Sequence, residues 1–296
     1  GLHTGHCSVR GNQGPGMPDA DVTVAEILKE AGYATGCFGK WGIGNPPPRD
    51  DPIRQGFDEF YGYVNMFHAH NFYPPFLIRN GAVEKLRNET KPLWLNKDGY
   101  QMRGVKEGAG VAVADSKVDY APDLITDEAL KFLDLQSTQD APFFLYLPLN
   151  APHLPVVPNS EFIGKSEAGH YGDFVAEVDD FVGAVTAALE KNAIADNTLV
   201  LFTADNGSLF HWWQAKNPDD VEEYRLTARA KLIQGFEHQG NAQLRGTKAD
   251  IWEGGHRVPF VMQWPAKIPA ASVSEESVEL TDMLATVAAM VGEELP

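Results

Sequence analysis

Apolar positions recur along this chain in two distinct periods. Val24, Ile27, Leu28 and Ala31 share a face at helical spacing, and Thr23-Val24-Ala25-Glu26 has the form of a capping box at the start of that helix. Gly32 ends it. Residues 33–38 then read as a short strand, followed by Gly39-Lys40-Trp41-Gly42. Residues 45–56 carry Pro46, Pro47, Pro48 and Pro52 and read as loop. Pro122 opens a helix to about Leu135, with Ile125, Ala129, Phe132 and Leu133 at helical spacing. Residues 142–147 are a continuous apolar run of strand length, followed by Pro148-Leu149-Asn150-Ala151-Pro152-His153. Residues 171–191 form the clearest amphipathic pattern, with Phe174, Val178, Phe181, Val182, Val185 and Leu189 on one face. A second buried-strand run covers residues 198–202 and leads to Asp205. A charged helix near 221–236, a strand at 258–263 and a helix at 280–291 complete the pattern. Helices alternating with apolar strands predict an α/β fold, doubly wound, with a mostly parallel sheet covered by helices on both faces.

Two stretches break this alternation. Residues 57–120 are aromatic, polar and irregular, include Phe67-His68-Ala69-His70-Asn71-Phe72-Tyr73, and contain a hairpin signal at Asn80-Gly81. So long and aromatic an excursion reads as the wall of an active site, since linkers are poor in aromatic residues. His211-Trp212-Trp213 is a second candidate wall. Aromatic faces there would suit sugar or aryl groups, and packing of long loops explains them equally well.

Composition narrows the possible functions. The chain has 296 residues, 43% of them hydrophobic, enough for one large α/β domain or two small ones. Its 24 basic and 41 acidic residues give a net charge of −17, which removes the basic footprint that non-specific nucleic-acid binding needs. An anionic substrate stays compatible with that balance, because cations in one pocket can outweigh the global field. No segment has the length of a membrane span. Two cysteines, Cys7 and Cys37, make neither a disulfide framework nor a zinc cluster.

The candidate chemistry sits where strands end. Asp-Asn-Gly by itself is a turn, but Thr203-Ala204-Asp205-Asn206-Gly207 follows a buried strand, and ligands of open α/β sheets gather beyond the carboxyl ends of strands. The hard oxygens of Asp205 and Asn206 suit Ca²⁺ or Mg²⁺. Lys40 follows the first strand and His153 the second, while Lys248 lies in Leu244-Arg245-Gly246-Thr247-Lys248, shortly before Trp252-Glu253-Gly254-Gly255. Each has a plainer reading as a surface lysine or a turn histidine. Taken together, a divalent cation, two ammonium groups and an imidazole are what hydrolysis of an anionic ester requires.

Four ordered segments resemble the sulfatase family. Gly32-Tyr33-Ala34-Thr35-Gly36-Cys37-Phe38-Gly39-Lys40-Trp41-Gly42-Ile43-Gly44 resembles its second signature. Ala151-Pro152-His153-Leu154-Pro155 resembles its histidine segment, and Thr203-Ala204-Asp205-Asn206-Gly207 its metal segment. Leu244-Arg245-Gly246-Thr247-Lys248 with Trp252-Glu253-Gly254-Gly255-His256-Arg257-Val258-Pro259 resembles its second-lysine segment. The resemblance implies an alkaline-phosphatase-like fold and a sulfuric ester hydrolase whose cysteine-derived formylglycine attacks sulfur beside a bound Ca²⁺, sometimes Mg²⁺. By motif, Asp205 and Asn206 would bind the metal, and Lys40 and Lys248 would clamp sulfate oxygens. His153 would contact the sulfate and assist the leaving group. The implied substrate is a sulfated glycan or a small aryl sulfate, and the implied location is the periplasm or outside the cell.

Departures from the family pattern sharpen these expectations. The modified cysteine belongs to a Cys-x-Pro-x-Arg segment, whereas Cys7-Ser8-Val9-Arg10 lacks the proline and has its arginine one residue early. The nucleophile is therefore expected upstream of Gly1, with the remaining metal aspartates, and a smaller C-terminal subdomain beyond Pro296. Residues 1–296 would then be an incomplete catalytic domain. Gly42 stands where most such sequences carry histidine, and whether His68, His70 or another residue takes that role is open. Two alternatives remain open on sequence alone: a phosphate or phosphonate monoester hydrolase of the same superfamily, and a non-catalytic binder of sulfated glycans.

Overall fold

The computed structural model describes residues 16–43, 50–66, 68–88, 118–154, 156–209 and 240–295. They fall into two compact units, Gly1–Pro155 with Ser274–Pro296, and Val156–Val273.

The first unit is built on β1 (Ala34–Lys40). Helix α1 (Val24–Glu30) precedes it and starts at a reciprocal capping box: Thr23 Oγ1 accepts from the Glu26 amide at 3.1 Å, and the Glu26 carboxylate accepts from the Thr23 amide at 2.8 Å. After β1 come a short helix, α2 (Asp51–Arg54), then β2 (Glu59–Tyr63), the antiparallel pair β3 (Phe76–Arg79) and β4 (Ala82–Lys85), helix α3 (Ala121–Gln136) and β5 (Phe143–Tyr146). The sheet order is β4-β3-β2-β1-β5, with β1 parallel to both β2 and β5. The β3–β4 turn is Asn80-Gly81, whose φ values of 48° and 84° match the twist of a two-residue hairpin.

Both faces of β1 are covered, which is why its sequence shows no polar alternation. Phe38 points into a cluster with Tyr61, Tyr63, Leu77, Ile125, Ala129 and Phe132, and its ring lies 5.5 Å from that of Phe132 on α3. Its neighbour Cys37 faces the other way, with Ala25, Trp41, Phe57, Phe60, Val64 and Ile78.

The second unit holds helix α4 (Gly169–Lys191), β6 (Val200–Thr203), the short α5 (Glu253–His256) and β7 (Phe260–Gln263). Strands β6 and β7 pair antiparallel. The final helix of the chain, α6 (Asp282–Val291), returns to the first unit and packs against α1. No helix among the described residues is long and apolar enough to cross a membrane.

The α/β class and the elements expected on either side of the candidate residues are present. Among the described residues parallel pairing is confined to β2-β1-β5, and β6 pairs antiparallel with β7. Residues 59–63, expected to be irregular, form the sheet's second parallel strand. Phe72 and Phe76, expected in a substrate wall, are buried core instead, at 0% and 7% exposure. Aromatic side chains inserted between sheet and loop have no period, so the sequence pattern concealed them. The expected helix at 221–236, the His211-Trp212-Trp213 turn and Cys7 lie outside the described residues.

Gly62 was one reason that β2 escaped notice, because glycine weakens a strand signal. A Cβ there would stand 2.0 Å from the Gly39 carbonyl oxygen, and one on Gly39 would stand 2.2 Å from that of Pro148. Gly62→Ala is expected to cost about 3 kcal/mol or more in urea unfolding. Gly32→Ala is the control: its φ is also positive, at 86°, but nothing lies within 4 Å, so a loss nearer to about 1 kcal/mol is expected.

Candidate active site

The first unit carries Lys40 and His153 at the carboxyl ends of adjacent parallel strands. Lys40 is the last residue of β1, where its amide donates to the Pro148 carbonyl at 2.7 Å. The ladder continues through Trp41 and Gly42, whose amides donate to Tyr63 and Val64 at 2.8 and 3.1 Å. The Trp41 ring turns inward, and its Nε1 donates to the buried Asp51 carboxylate at 2.7 Å. Burial raises the Asp51 pKa against the lowering effect of that bond. Gly42 has φ +68°, and a Cβ there would lie 3.3 Å from Cγ and Cε of Lys40. A side chain at this position would be strained by the positive φ and would press on the lysine stem.

His153 lies in the loop after β5. Its amide donates to the Asn150 carbonyl at 3.0 Å, and its Nδ1 lies 2.6 Å from the Leu154 carbonyl. A carbonyl only accepts, so Nδ1 carries a proton and Nε2 is the other ring nitrogen. The ring stacks on His70, with centroids 4.6 Å apart and planes 7° from parallel. Of the two histidines considered for the role absent at Gly42, His70 is therefore the one beside His153. His68 is wholly buried between the Tyr63 and Phe76 rings, and burial pulls its pKa down to about 3. It is a neutral packing residue.

The second unit brings Asp205, Asn206 and Lys248 into one loop cluster. The chain leaving β6 is bonded to the segment that carries Lys248: Gly207 donates to the Gly255 carbonyl at 3.0 Å, and Lys248 donates to the Ser208 carbonyl at 3.2 Å. A Cβ on Gly207 would stand 1.8 Å from the Gly254 oxygen, so only glycine permits this approach. Asn241 locks the two segments. Its Oδ1 accepts from the Ser208 amide at 2.7 Å, and its Nδ2 donates to the carbonyls of Ser208 and Gly246 at 3.1 and 3.0 Å. The Tyr171 hydroxyl on α4 meets Ser208 Oγ at 3.1 Å. Sequence reasoning missed Asn241 and Asn150, because a single amide in a loop carries no periodic signal.

As oxygen donors, Asp205 and Asn206 suit a hard cation. The Asp205 side is solvent-exposed, and Asn206 Nδ2 donates to the Gly207 carbonyl at 3.1 Å, which leaves Oδ1 as the ligating atom. Among the described residues no group of three or more His, Cys, Asp or Glu side chains forms a metal site. Two side-chain oxygens alone fall short of the about six to eight that Ca²⁺ takes. Cys37, fully buried in β1 with its thiol pKa pushed up by desolvation, has no thiolate to offer.

Comparison with known proteins identifies the family of the chain. The sulfatase family profile matches residues 3–293. The chain is 30% identical over 278 residues to N-acetylgalactosamine-6-sulfatase of Canis lupus familiaris, covering 94% of this chain and 46% of that protein. It is 31% identical over 297 residues to an arylsulfatase of Hemicentrotus pulcherrimus, covering 95% and 44%. A structure solved in work on glycosaminoglycan metabolism by Bacteroides thetaiotaomicron superposes with a TM-score of 0.73 at 26% identity, covering 98% of this chain and 64% of that one. Ps i-CgsB, solved with k-i-k-neocarrahexaose, superposes with a TM-score of 0.68 at 28% identity, covering 98% and 57%. The chain belongs to the sulfatase family. It spans about half the length of the curated relatives it matches.

Two outcomes follow from these contacts. Asn241→Ala strips Ser208 and Gly246 of buried partners, and a loss of about 1–3 kcal/mol is expected in denaturant unfolding. His68 sets an acid limit. Its folded pKa lies far below the unfolded value, so the unfolded chain binds the extra proton as pH falls from about 6.5 toward about 3. Stability contributed by the neutral ring is present above that window and declines by about 1.4 kcal/mol per pH unit within it. His68→Phe is expected to flatten that slope in unfolding measured across pH.

Proposed function

We propose that this chain is catalytic-domain sequence of a hydrolase that cleaves sulfate esters to release inorganic sulfate. The observation that carries the reading is the locking of Lys248 to the loop of Asp205 and Asn206, with Lys40 and His153 at neighbouring strand ends in the other unit. They lie in segments that resemble the family's motifs, within a family match over residues 3–293.

In this proposal Asp205 and Asn206 hold Ca²⁺, or Mg²⁺, which when bound neutralises charge on the sulfate oxygens. Lys40 and Lys248 bind further oxygens of the sulfate and favour the state in which negative charge has moved onto them. His153 donates a proton from Nε2 to the departing oxygen, the Nδ1 proton being held by Leu154. The nucleophilic oxygen comes from formylglycine made from a cysteine upstream of Gly1. The sealed position of Cys37 and the arginine spacing after Cys7 support that placement.

The preferred substrate is a sulfated carbohydrate. Support comes from similar proteins, one named N-acetylgalactosamine-6-sulfatase and another solved with k-i-k-neocarrahexaose. The periplasm or the extracellular space is the proposed location, from the resemblance to the family.

The test is sulfate release by the full-length protein, with aryl phosphate as the competing substrate. Faster turnover of sulfate than phosphate is expected, and the reverse would replace this reading with a phosphohydrolase. Lys248→Ala is expected to lower kcat/KM by about 100-fold or more, as removal of an oxyanion donor does. Asp205→Asn is expected to weaken Ca²⁺ binding in calorimetry. The 296-residue chain by itself is expected to show little turnover, and robust activity from it would overturn the upstream nucleophile.

A further inference from the structure

We propose that Arg245, seated over the ring of Trp252, binds a second anionic group of the substrate, a sulfate or carboxylate on the sugar next to the one whose ester is cleaved. This rests on the reading of Lys248 as a ligand of the scissile sulfate.

Arg245 stands apart from the other arginines. Arg54 is paired with Asp19, Arg79 with Glu84 and Glu128, Arg87 with Asp119, and Arg257 with Glu253. Among the described residues Arg245 is the one arginine without an ion pair, in a chain of 41 acidic and 24 basic residues. The acids that follow it are engaged elsewhere: Asp250 accepts from the Thr247 amide at 2.9 Å, and Glu253 holds Arg257 at 2.8 Å. The Arg245 guanidinium carbon lies instead 3.7 Å from the centre of the Trp252 ring. Attraction to a ring face orients the cation without a hydrogen bond to an oxygen, so its fork of N–H donors remains for an oxyanion. Both residues are exposed, Trp252 at 45%, so a ligand can reach them.

The loop that carries the pair is fixed. The Arg245 and Trp252 carbonyls accept from the Gly254 and Gly255 amides, both at 2.7 Å. The Gly246 carbonyl accepts from Asn241 Nδ2 at 3.0 Å, and that of Thr247 from the Asp250 amide at 2.9 Å. A Cβ on Gly246 would stand 2.9 Å from the Trp252 Cβ, so the two ends of the loop touch. Lys248 lies between those ends, its amide bonded to the Ser208 carbonyl just beyond Asp205 and Asn206. Arg245 and Lys248 are three residues apart, which keeps their Cα atoms within about 11 Å of one another. Neighbouring substituents of one oligosaccharide can span such a gap. A guanidinium matches two oxygens of a sulfate or carboxylate at once, and an exposed indole beside it offers a surface to the apolar side of a sugar ring.

The test uses the full-length enzyme and three disaccharides: one with the scissile sulfate alone, one with a second sulfate on the adjoining sugar and one with a carboxylate there. Arg245→Gln, which removes the charge, is expected to raise KM for a doubly anionic disaccharide about fivefold or more, with kcat/KM for the singly sulfated one within about twofold of the parent. Trp252→Leu, which removes the ring, is expected to act in the same direction, and Arg245→Lys to recover part of the loss. The parent's preference for the doubly anionic disaccharides is expected to fade between about 20 mM and about 500 mM salt, as a contact between exposed charges does. An Arg245 effect confined to the second sulfate or to the carboxylate assigns the subsite to that oxyanion. Equal losses on all three disaccharides in Arg245→Gln, or no loss on any, overturn the proposal. Calorimetric binding of the same disaccharides separates the two readings: if the protein releases no sulfate yet binds a doubly anionic disaccharide more tightly through Arg245, the hydrolase reading fails and the subsite stands.

Discussion

The amide of Lys40 reaches the carbonyl of Pro148 at 2.7 Å, across a gap that closes only because Gly39 has no side chain. Gly62 meets Gly39 in the same way from the opposite flank. Three backbone segments thus converge at the end of β1, closer than any residue with a Cβ would allow. The loop that begins at Pro148 carries Asn150 and His153, so this convergence sets where both Lys40 and the imidazole stand. The aromatic core beneath serves the same end: Phe38 against Phe132 on one face and Cys37 among Trp41, Phe57 and Phe60 on the other hold β1 rigid up to its last residue.

The second unit solves the same problem with different atoms. Gly207 allows the chain leaving β6 to pass against Gly254, and Asn241 closes the arrangement by answering both backbone groups of Ser208. The side chains offered for chemistry are then borne on loops whose main chains are bonded to one another. Preorganisation of this kind matters where charge must be met as it develops, because a donor already in place needs no reorganisation at that moment. The acidic balance of the whole chain, −17, does not exclude an anionic ligand, since distant charges are screened and local cations outweigh the global field.

Histidine illustrates how one residue type takes three roles by environment. His68 is enclosed by aromatic rings and stays neutral, His153 has its Nδ1 proton claimed by a carbonyl, and His70 meets His153 face to face. His68 and His70 are two residues apart in a single turn, yet one is buried core and the other stacks on His153.

Much of this protein was legible in its sequence. Helical spacing of Ile125, Ala129, Phe132 and Leu133, the capping box at Thr23 and the apolar runs ending near Lys40, His153 and Asp205 followed from local periodicity and strand-end logic, which act over a few residues. Tertiary structure alone decided the rest. That β2 exists despite Gly62, that β6 pairs with β7, that Phe72 and Phe76 are core, that Asn241 and Asn150 brace the loops, and that His70 rather than His68 meets His153 all depend on contacts between residues far apart in the chain. Such contacts leave no period and no local motif, because the partner that gives each residue its meaning arrives only when the chain folds.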